Sequence, residues 1–104
     1  MQETHASKRF TIVDTEDYTV DLEYNNMYAI LHLPRVSKFN KTVYMDMKIK
    51  VQDIWDFVQT VGYSGMWICI SKEDTTLGKF VQKIGFNFLG SYETQDVYEY
   101  GGER

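Results

Sequence analysis

The sequence predicts a single α/β domain, an α+β sandwich in which helices pack against a mixed β-sheet. Three observations predict this fold class. Short runs rich in β-branched and aromatic residues occur in both halves of the chain, as is typical of strands. Two stretches in the second half repeat apolar residues at the three- and four-residue spacing of a helix. A glycine follows each of these stretches, where helices commonly end.

Three strands are predicted in the first third of the chain. Residues 10–14 (FTIVD) and 18–24 (YTVDLEY) are short and rich in β-branched side chains. The two asparagines at 25–26 then provide a turn, because asparagine tolerates the left-handed backbone of tight hairpins. Residues 27–33 (MYAILHL) are almost all apolar, which is typical of a strand covered on both faces. Pro34 is expected to end the hydrogen-bonding ladder of this strand or to lie at an edge.

A fourth strand is predicted for residues 41–49, where apolar and polar side chains alternate. A strand would separate the two sets onto opposite faces, Val43, Met45, Met47 and Ile49 against Tyr44, Asp46 and Lys48. The period then becomes helical over residues 51–61, with the apolar stripe Val51, Ile54, Trp55, Val58 and Val61. Gly62 would end this helix.

The last third of the chain predicts one further helix and three strands. Residues 66–70 (MWICI) are an unbroken apolar run, too short for a helix and suited to a central strand. Asp74 would cap a second helix, whose apolar stripe is Leu77, Phe80, Val81 and Ile84 and which Gly85 would close. Residues 86–92 and 95–100 form a final strand pair. The predicted order is therefore β-β-β-β-α-β-α-β-β, with right-handed crossovers.

Composition limits the class of protein. We expect one domain over residues 9–100, with a flexible N-terminus at 1–8 and a flexible C-terminus at 101–104. The single cysteine, Cys69, excludes an intramolecular disulfide and a cysteine-cluster metal site. No apolar run approaches the roughly 18 residues of a membrane span, and the net charge of −4 disfavours non-specific nucleic-acid binding. A cytoplasmic protein that binds neither membrane, metal nor nucleic acid is expected.

Residues 71–86 (SKEDTTLGKFVQKIGF) resemble the last helix of the GNAT superfamily, the acetyl-CoA-dependent N-acetyltransferases. In that family a pattern such as FYEKLGF follows a buried strand, and four positions match it here, Phe80, Lys83, Gly85 and Phe86. The predicted strand order from residue 18 onward is also similar to the family's second to last strands. The resemblance implies a truncated GNAT-like mixed sheet, a short degenerate member of the kind encoded by tailed bacteriophages, some of which are linked to virion assembly.

Most of the family's chemistry is missing at the matching positions. The resemblance places the pyrophosphate-binding loop, Q/R-x-x-G-x-G/A in the family, at residues 47–53, which contain no glycine. The tyrosine that usually serves as general acid corresponds to Val81, which has no proton to donate. Asp74 replaces the asparagine that often opens the helix, and the two helices that help to hold the acceptor are absent.

The first functional hypothesis is a GNAT-like pseudoenzyme that uses no cofactor and acts by binding another protein. If the gene belongs to a phage, the partner would be a virion component or a host protein that the chain modulates. Segregated acidic charge and the tyrosines of the last strand point to a contact surface, formed by Asp14, Asp17, Asp21, Glu23, Tyr98 and Tyr100. A self-associating homo-oligomer is compatible with this hypothesis, whereas two solvated sheet edges are the simpler interpretation of the charge.

The alternative is a minimal acetyl-CoA-dependent N-acetyltransferase. Acetyl-CoA would lie at a splay between residues 41–49 and 66–70, with Asp46 or a water as general base. The cofactor would be held by backbone groups and by Lys48, Lys50, Val51 and Gln52. The competing interpretation makes Asp46 and the lysines ordinary solvated residues. His32 is expected to be a half-buried histidine with a hydrogen-bond partner, and Cys69 a small buried apolar residue.

Overall fold

The computed structural model describes residues 7–101, which form one six-stranded mixed sheet and two helices. The elements are β1 (Lys8–Asp14), β2 (Tyr18–Tyr24), β3 (Ala29–Val36), α1 (Lys41–Thr60), β4 (Gly65–Ser71), α2 (Thr75–Ile84), β5 (Asn87–Tyr92) and β6 (Gln95–Gly101). The strand order is β1-β2-β3-β4-β6-β5. Only the β3–β4 pair is parallel among these described strands. The predicted mixed α/β class, an α+β fold, is confirmed.

The predicted strand at residues 41–49 is wrong, because these residues form the first half of α1. The buried side chains follow one helical stripe along the whole of α1, namely Val43, Met47, Val51, Ile54 and Val58. Met45 and Ile49, which alternation placed on an apolar strand face, are 47% and 60% exposed. Asn40 caps the helix by accepting a hydrogen bond from the Val43 N–H. Apolar residues spaced two apart also satisfy a four-residue spacing, so the alternation did not distinguish strand from helix.

The predicted ends of the elements agree more closely with the structure. The side chain of Asp74 caps α2 by accepting from the Leu77 N–H, and Gly85 follows the helix with a φ of 133°, a conformation that favours glycine. Most of the predicted flexible termini lies outside the described residues. Lys8 nevertheless begins β1 and Gly101 ends β6, so the sheet extends further at both ends than predicted.

Both helices pack on the same face of the sheet. The core between them and the strands contains Val20, Leu22, Leu31, Met66 and Ile68 from the sheet, with Met47, Val51 and Val81 from the helices. The alternate residues of the same strands point to the opposite face, which neither helix covers in the described part of the chain. We call this surface the open face; it includes Glu23, Ile30, His32, Trp67, Cys69 and Tyr92.

The parallel pair of strands, β3 and β4, separates soon after it begins. The two strands pair at Ile30 with Trp67 and at Leu31 with Ile68. Beyond Leu31, β3 continues beside β2 alone, with a register shift that spans Pro34. Proline has no N–H to donate to a ladder, so its position is consistent with the loss of pairing there. The two strands therefore diverge toward their carboxyl ends.

Candidate functional site

A pocket of about 380 Å³ lies beside the carboxyl end of β3, where α1 begins; we call it the carboxyl-end pocket. Its lining residues are Phe39, Asn40, Lys41, Tyr44, Phe80 and Lys83. The ring of Phe39 meets that of Phe80 edge to face at 5.1 Å between centroids. The Tyr44 hydroxyl donates to the Lys83 carbonyl at 3.2 Å. Aromatic contacts and this hydrogen bond therefore join the start of α1 to α2.

The chemistry of the carboxyl-end pocket favours an anion only weakly. Lys41 and Lys83 contribute positive charge, and the first N–H groups of α1 lie at the same end of the helix. The connection before α1, residues 37–40 (SKFN), contains no glycine, so its backbone cannot approach a pyrophosphate as a glycine loop does. Val81, at the position of the family's general acid, is fully buried.

The residues predicted to hold acetyl-CoA lie in the interior of α1. Their backbone N–H groups are within the helix, where N–H groups bond the carbonyls four residues before them, so a phosphate cradle at residues 47–53 is excluded. Val51 is buried in the core. The Gln52 side chain accepts a hydrogen bond from the Tyr100 hydroxyl at 2.8 Å. The Lys48 ammonium lies 5.7 Å from the centroid of the ring of Tyr44, a residue that lines the carboxyl-end pocket.

Asp46 connects α1 to β2. Its carboxylate accepts a hydrogen bond of 2.6 Å from the buried Tyr18 hydroxyl and lies 3.3 Å from the Lys50 ammonium one turn further along the helix. The Tyr18 hydrogen bond, opposed by partial burial and assisted by Lys50, lowers the pKa of Asp46. Burial and the hydrogen bond to Asp46 raise the pKa of Tyr18. A carboxylate engaged in this way is suited to holding the helix on the sheet rather than to proton abstraction.

The predicted acidic surface is largely paired within the fold. Each of its four carboxylates has a partner: Asp14 pairs with Arg35 at 3.4 Å, Asp17 with Lys38 at 3.6 Å and Asp21 with Arg9 at 3.0 Å, and Glu23 accepts a hydrogen bond from His32 at 2.8 Å. Hydrogen bonds from Ser7 and His32 lower the pKa of Glu23. Two of these contacts, Arg9 with Asp21 and His32 with Glu23, join neighbouring strands, where cross-strand pairs stabilise a sheet. His32 thus has the hydrogen-bond partner that was expected.

Tyr98 and Tyr100 share a face of β6, as predicted, but that face packs against the helices. Tyr98 is buried, and Tyr100 contacts the rings of Trp55 and Phe86. Burial raises the pKa of both hydroxyls. The two tyrosines are core residues because β6 lies between β4 and β5, and neither offers an exposed aromatic surface for a partner. Cys69, expected to be buried, is only partly so and lies on the open face.

A second pocket, of about 400 Å³, lies at the opposite end of the β3–β4 pair; we call it the amino-end pocket. Its side-chain walls include Met27, Tyr28, Tyr63, Trp67 and Glu99. The rings of Tyr28 and Trp67 stack with centroids 6.3 Å apart and planes inclined by 27°. A Cβ atom at Gly65 would lie 2.5 Å from Oε2 of Glu99, so glycine at this position makes room for the carboxylate.

Sequence reasoning did not find the amino-end pocket. Its members come from three separate segments, residues 26–28, residues 61–67 and Glu99, and the strand register brings them together. Trp67 pairs with Ile30 on one side and with Glu99 on the other. Trp67 lies within the unbroken apolar run of residues 66–70, so the sequence assigned it to the core and carried no signal of its exposure.

Comparisons with known proteins do not identify a family for this chain. A scan against family models, a search of curated proteins and a search of solved structures found no match. Within residues 7–101, no group of three or more histidine, cysteine, aspartate or glutamate side chains is arranged to hold a metal ion. None of the helices in that range is both long and apolar enough to cross a membrane.

Proposed function

We propose that this chain is a GNAT-like domain that does not transfer acetyl groups and that binds another protein through the open face. The observation that carries the proposal is the one-sided helix layer. In the described residues both helices cover one face of the sheet, and the other presents aromatic side chains to solvent. Trp67 is 37% exposed and Tyr92 is 69% exposed. A sheet that is apolar on one face and partly apolar on the other can bury the second face against a partner.

The charges around the open face suit such an interface. On this surface Arg9 forms an ion pair with Asp21, and the Glu23 carboxylate accepts a hydrogen bond from His32. Burying a paired charge costs much less than burying an isolated one. A partner that covers these strands therefore meets carboxylates that already have partners within the fold, while aromatic residues supply the contact area that dominates many interfaces.

The element order supports a GNAT-like scaffold. Antiparallel strands lead into α1, which crosses to the parallel strand β4, and α2 and a final hairpin follow. The resemblance in the α2 sequence applies to the same part of the chain. The missing glycines before α1 and the buried Val81 argue that catalysis has been lost. A virion component or a host protein is the partner we propose for a phage-encoded chain of this kind.

Site-specific photo-crosslinking tests the open face directly. A benzophenone maleimide is attached to the variant Tyr92→Cys in a Cys69→Ser background, because Cys69 is the chain's single native cysteine. The matched control is Met45→Cys in the same background, since Met45 is exposed on the helix side. In an extract of the cells that naturally make the chain, we expect one discrete protein adduct from position 92 alone. Absence of an adduct, or equal adducts from both positions, contradicts the proposal.

The alternative, a minimal N-acetyltransferase, is favoured by one specific observation. The β3 and β4 strands diverge beyond Leu31, and the carboxyl-end pocket beside them carries Lys41 and Lys83. The splay that the resemblance implies would then lie between β3 and β4 rather than at residues 41–49. Thiol release from acetyl-CoA in a mixture of amine acceptors tests this function. Release that Lys41→Glu and Lys83→Glu abolish would favour the enzyme; we expect none above the buffer rate.

A further inference from the structure

We infer that the amino-end pocket binds an alkylammonium group, the side chain of a lysine, free or methylated, on the protein partner. The inference rests on the proposed function, because it supplies a specific anchor for the partner that covers the open face. Trp67 belongs to both surfaces: it lines the pocket and lies on the open face. A partner seated on the sheet can therefore reach the pocket with one long side chain.

Aromatic rings and a carboxylate converge in this pocket. The stacked pair of Tyr28 and Trp67 forms one wall, and Tyr63 contributes a third aromatic side chain. Organic cations bind to the faces of such rings through the ring quadrupole, most strongly to tryptophan. Met27 adds a flexible, polarisable thioether, which suits contact with the methylene groups of a lysine stem. The lining thus matches both parts of a lysine side chain.

Charge selects a cation over an anion. Glu99 lies directly opposite Trp67 on the neighbouring strand, and its carboxylate lies over Gly65. Among the described residues that line the pocket, Glu99 is charged and none is basic. A cation that enters the pocket can contact both the aromatic faces and a carboxylate oxygen, whereas the described walls offer an anion no basic side chain.

The walls of the pocket are fixed by hydrogen bonds. The Asn25 side-chain oxygen accepts from the Met27 and Tyr28 N–H groups at 2.7 and 3.0 Å. The Tyr63 hydroxyl donates to the Asn25 carbonyl. Asn25 therefore holds two aromatic walls in relation to each other before any ligand arrives. A preformed site loses less conformational entropy on binding than one that must be assembled.

Tryptophan fluorescence tests the inference with small probes. The probes are the Nα-acetyl amides of trimethyllysine, lysine and norleucine, the last being a neutral side chain of similar shape. The chain has two tryptophans, and Trp55→Phe leaves Trp67 as the only reporter. We expect saturable quenching by the two cationic probes, with dissociation constants of about 1–10 mM for a single side chain. Norleucine amide should produce none.

Variants separate the two parts of the site. Glu99→Gln keeps the shape of the side chain and removes the charge, so binding of both cations should weaken about tenfold. Tyr28→Leu should weaken the binding of trimethyllysine amide by a similar factor, because the substitution removes one aromatic face. Asp53→Asn, on the exposed side of α1, is the matched charge control and should change nothing. NMR spectra of each variant establish that it remains folded.

Three outcomes would overturn the inference: no saturable signal up to about 100 mM probe, equal response to norleucine amide, or full binding by folded Glu99→Gln and Tyr28→Leu. Crosslinking from position 92 reports on the proposed function separately. An adduct at that position without cation binding would leave the open face as the interface and remove the lysine anchor. Cation binding without an adduct would support the pocket as a cation site and would contradict the proposed binding of a protein to the open face.

Discussion

The amino-end pocket and the carboxyl-end pocket lie at opposite ends of the β3–β4 pair, and they differ in charge and in the use of their aromatic residues. At the carboxyl end, Phe39 and Phe80 contact each other and two lysines line the cavity. At the amino end, Tyr28 and Trp67 stack beside a glutamate. The first set of rings joins α1 to α2, whereas the second set faces solvent on the sheet surface.

We therefore regard the aromatic residues at the carboxyl end as structural and those at the amino end as available to bind a partner. The resemblance to acetyltransferases directs attention to the end of the sheet where the strands diverge. The other end is favoured because its stacked pair of rings is held by Asn25 and lies beside a carboxylate, with no basic side chain among the described lining residues. The proposal therefore implies that an element order can persist while the end of the sheet that is used for binding changes.

The largest expected effect comes from truncating the buried ring of the carboxyl end. Phe80→Ala should lower the free energy of unfolding by about 3–5 kcal/mol, because it removes a buried ring beneath Phe39 and Tyr44. Tyr28→Ala at the amino end should cost about 1 kcal/mol, since one ring contact is lost at the surface. Urea denaturation measures both. Similar losses would show that the two sets of rings are equally structural.

Two asparagines provide a smaller, matched test of the two ends. Asn25→Ala removes the acceptor for two backbone N–H groups before β3, and Asn40→Ala removes the cap of α1. Each should lower the free energy of unfolding by about 1–2 kcal/mol. Only Asn25→Ala should also weaken trimethyllysine amide binding, because it frees Tyr28. Equal binding by the two variants would mean that Asn25 does not organise the amino-end pocket.

The smallest expected effect concerns Asp46 and pH. Its folded-state pKa is lowered, chiefly by the Tyr18 hydrogen bond, so its contribution to stability is fully present above the unfolded pKa of about 4 and is lost as pH falls through the folded value. The free energy of unfolding of Asp46→Asn should therefore fall less than that of the wild type when the pH is lowered from neutral to acidic values. The half-exposed side chain limits the effect at neutral pH to about 0.5 kcal/mol. Urea unfolding from neutral to acidic pH, with Asp53→Asn as control, measures it; identical declines in wild type and Asp46→Asn would contradict this role.

Local signals predicted much of the fold. Asp74 and Gly85 mark the ends of α2 because capping and positive φ depend on adjacent residues. Residues 41–49 were misassigned because Val43 and Met47 satisfy both periods, and the deciding information was the continuation of their stripe into Val51 and the cap at Asn40. If the helical spacing of apolar residues is followed back from Val51 to Met47 and Val43, it indicates one helix over the whole of α1.

The candidate site was less accessible to sequence reasoning. Tyr98 and Tyr100 were placed correctly on one face, but whether that face is covered depends on which strands flank β6. Trp67 and Glu99 are far apart in the chain and meet only through the antiparallel register of β4 and β6. Register between distant strands is set by packing of the complete core, so short patterns do not contain it.

The most direct test of the account is an NMR titration of one isotope-labelled sample, first with acetyl-CoA and then with trimethyllysine amide. The account predicts no saturable shifts with acetyl-CoA up to about 1 mM. It predicts saturable shifts with trimethyllysine amide at Tyr28, at Gly65 and at the Trp67 indole. Saturable shifts with acetyl-CoA at Asn40, Lys41 and Lys83, together with silence at the amino end, would contradict it and would establish the carboxyl-end pocket as the binding site.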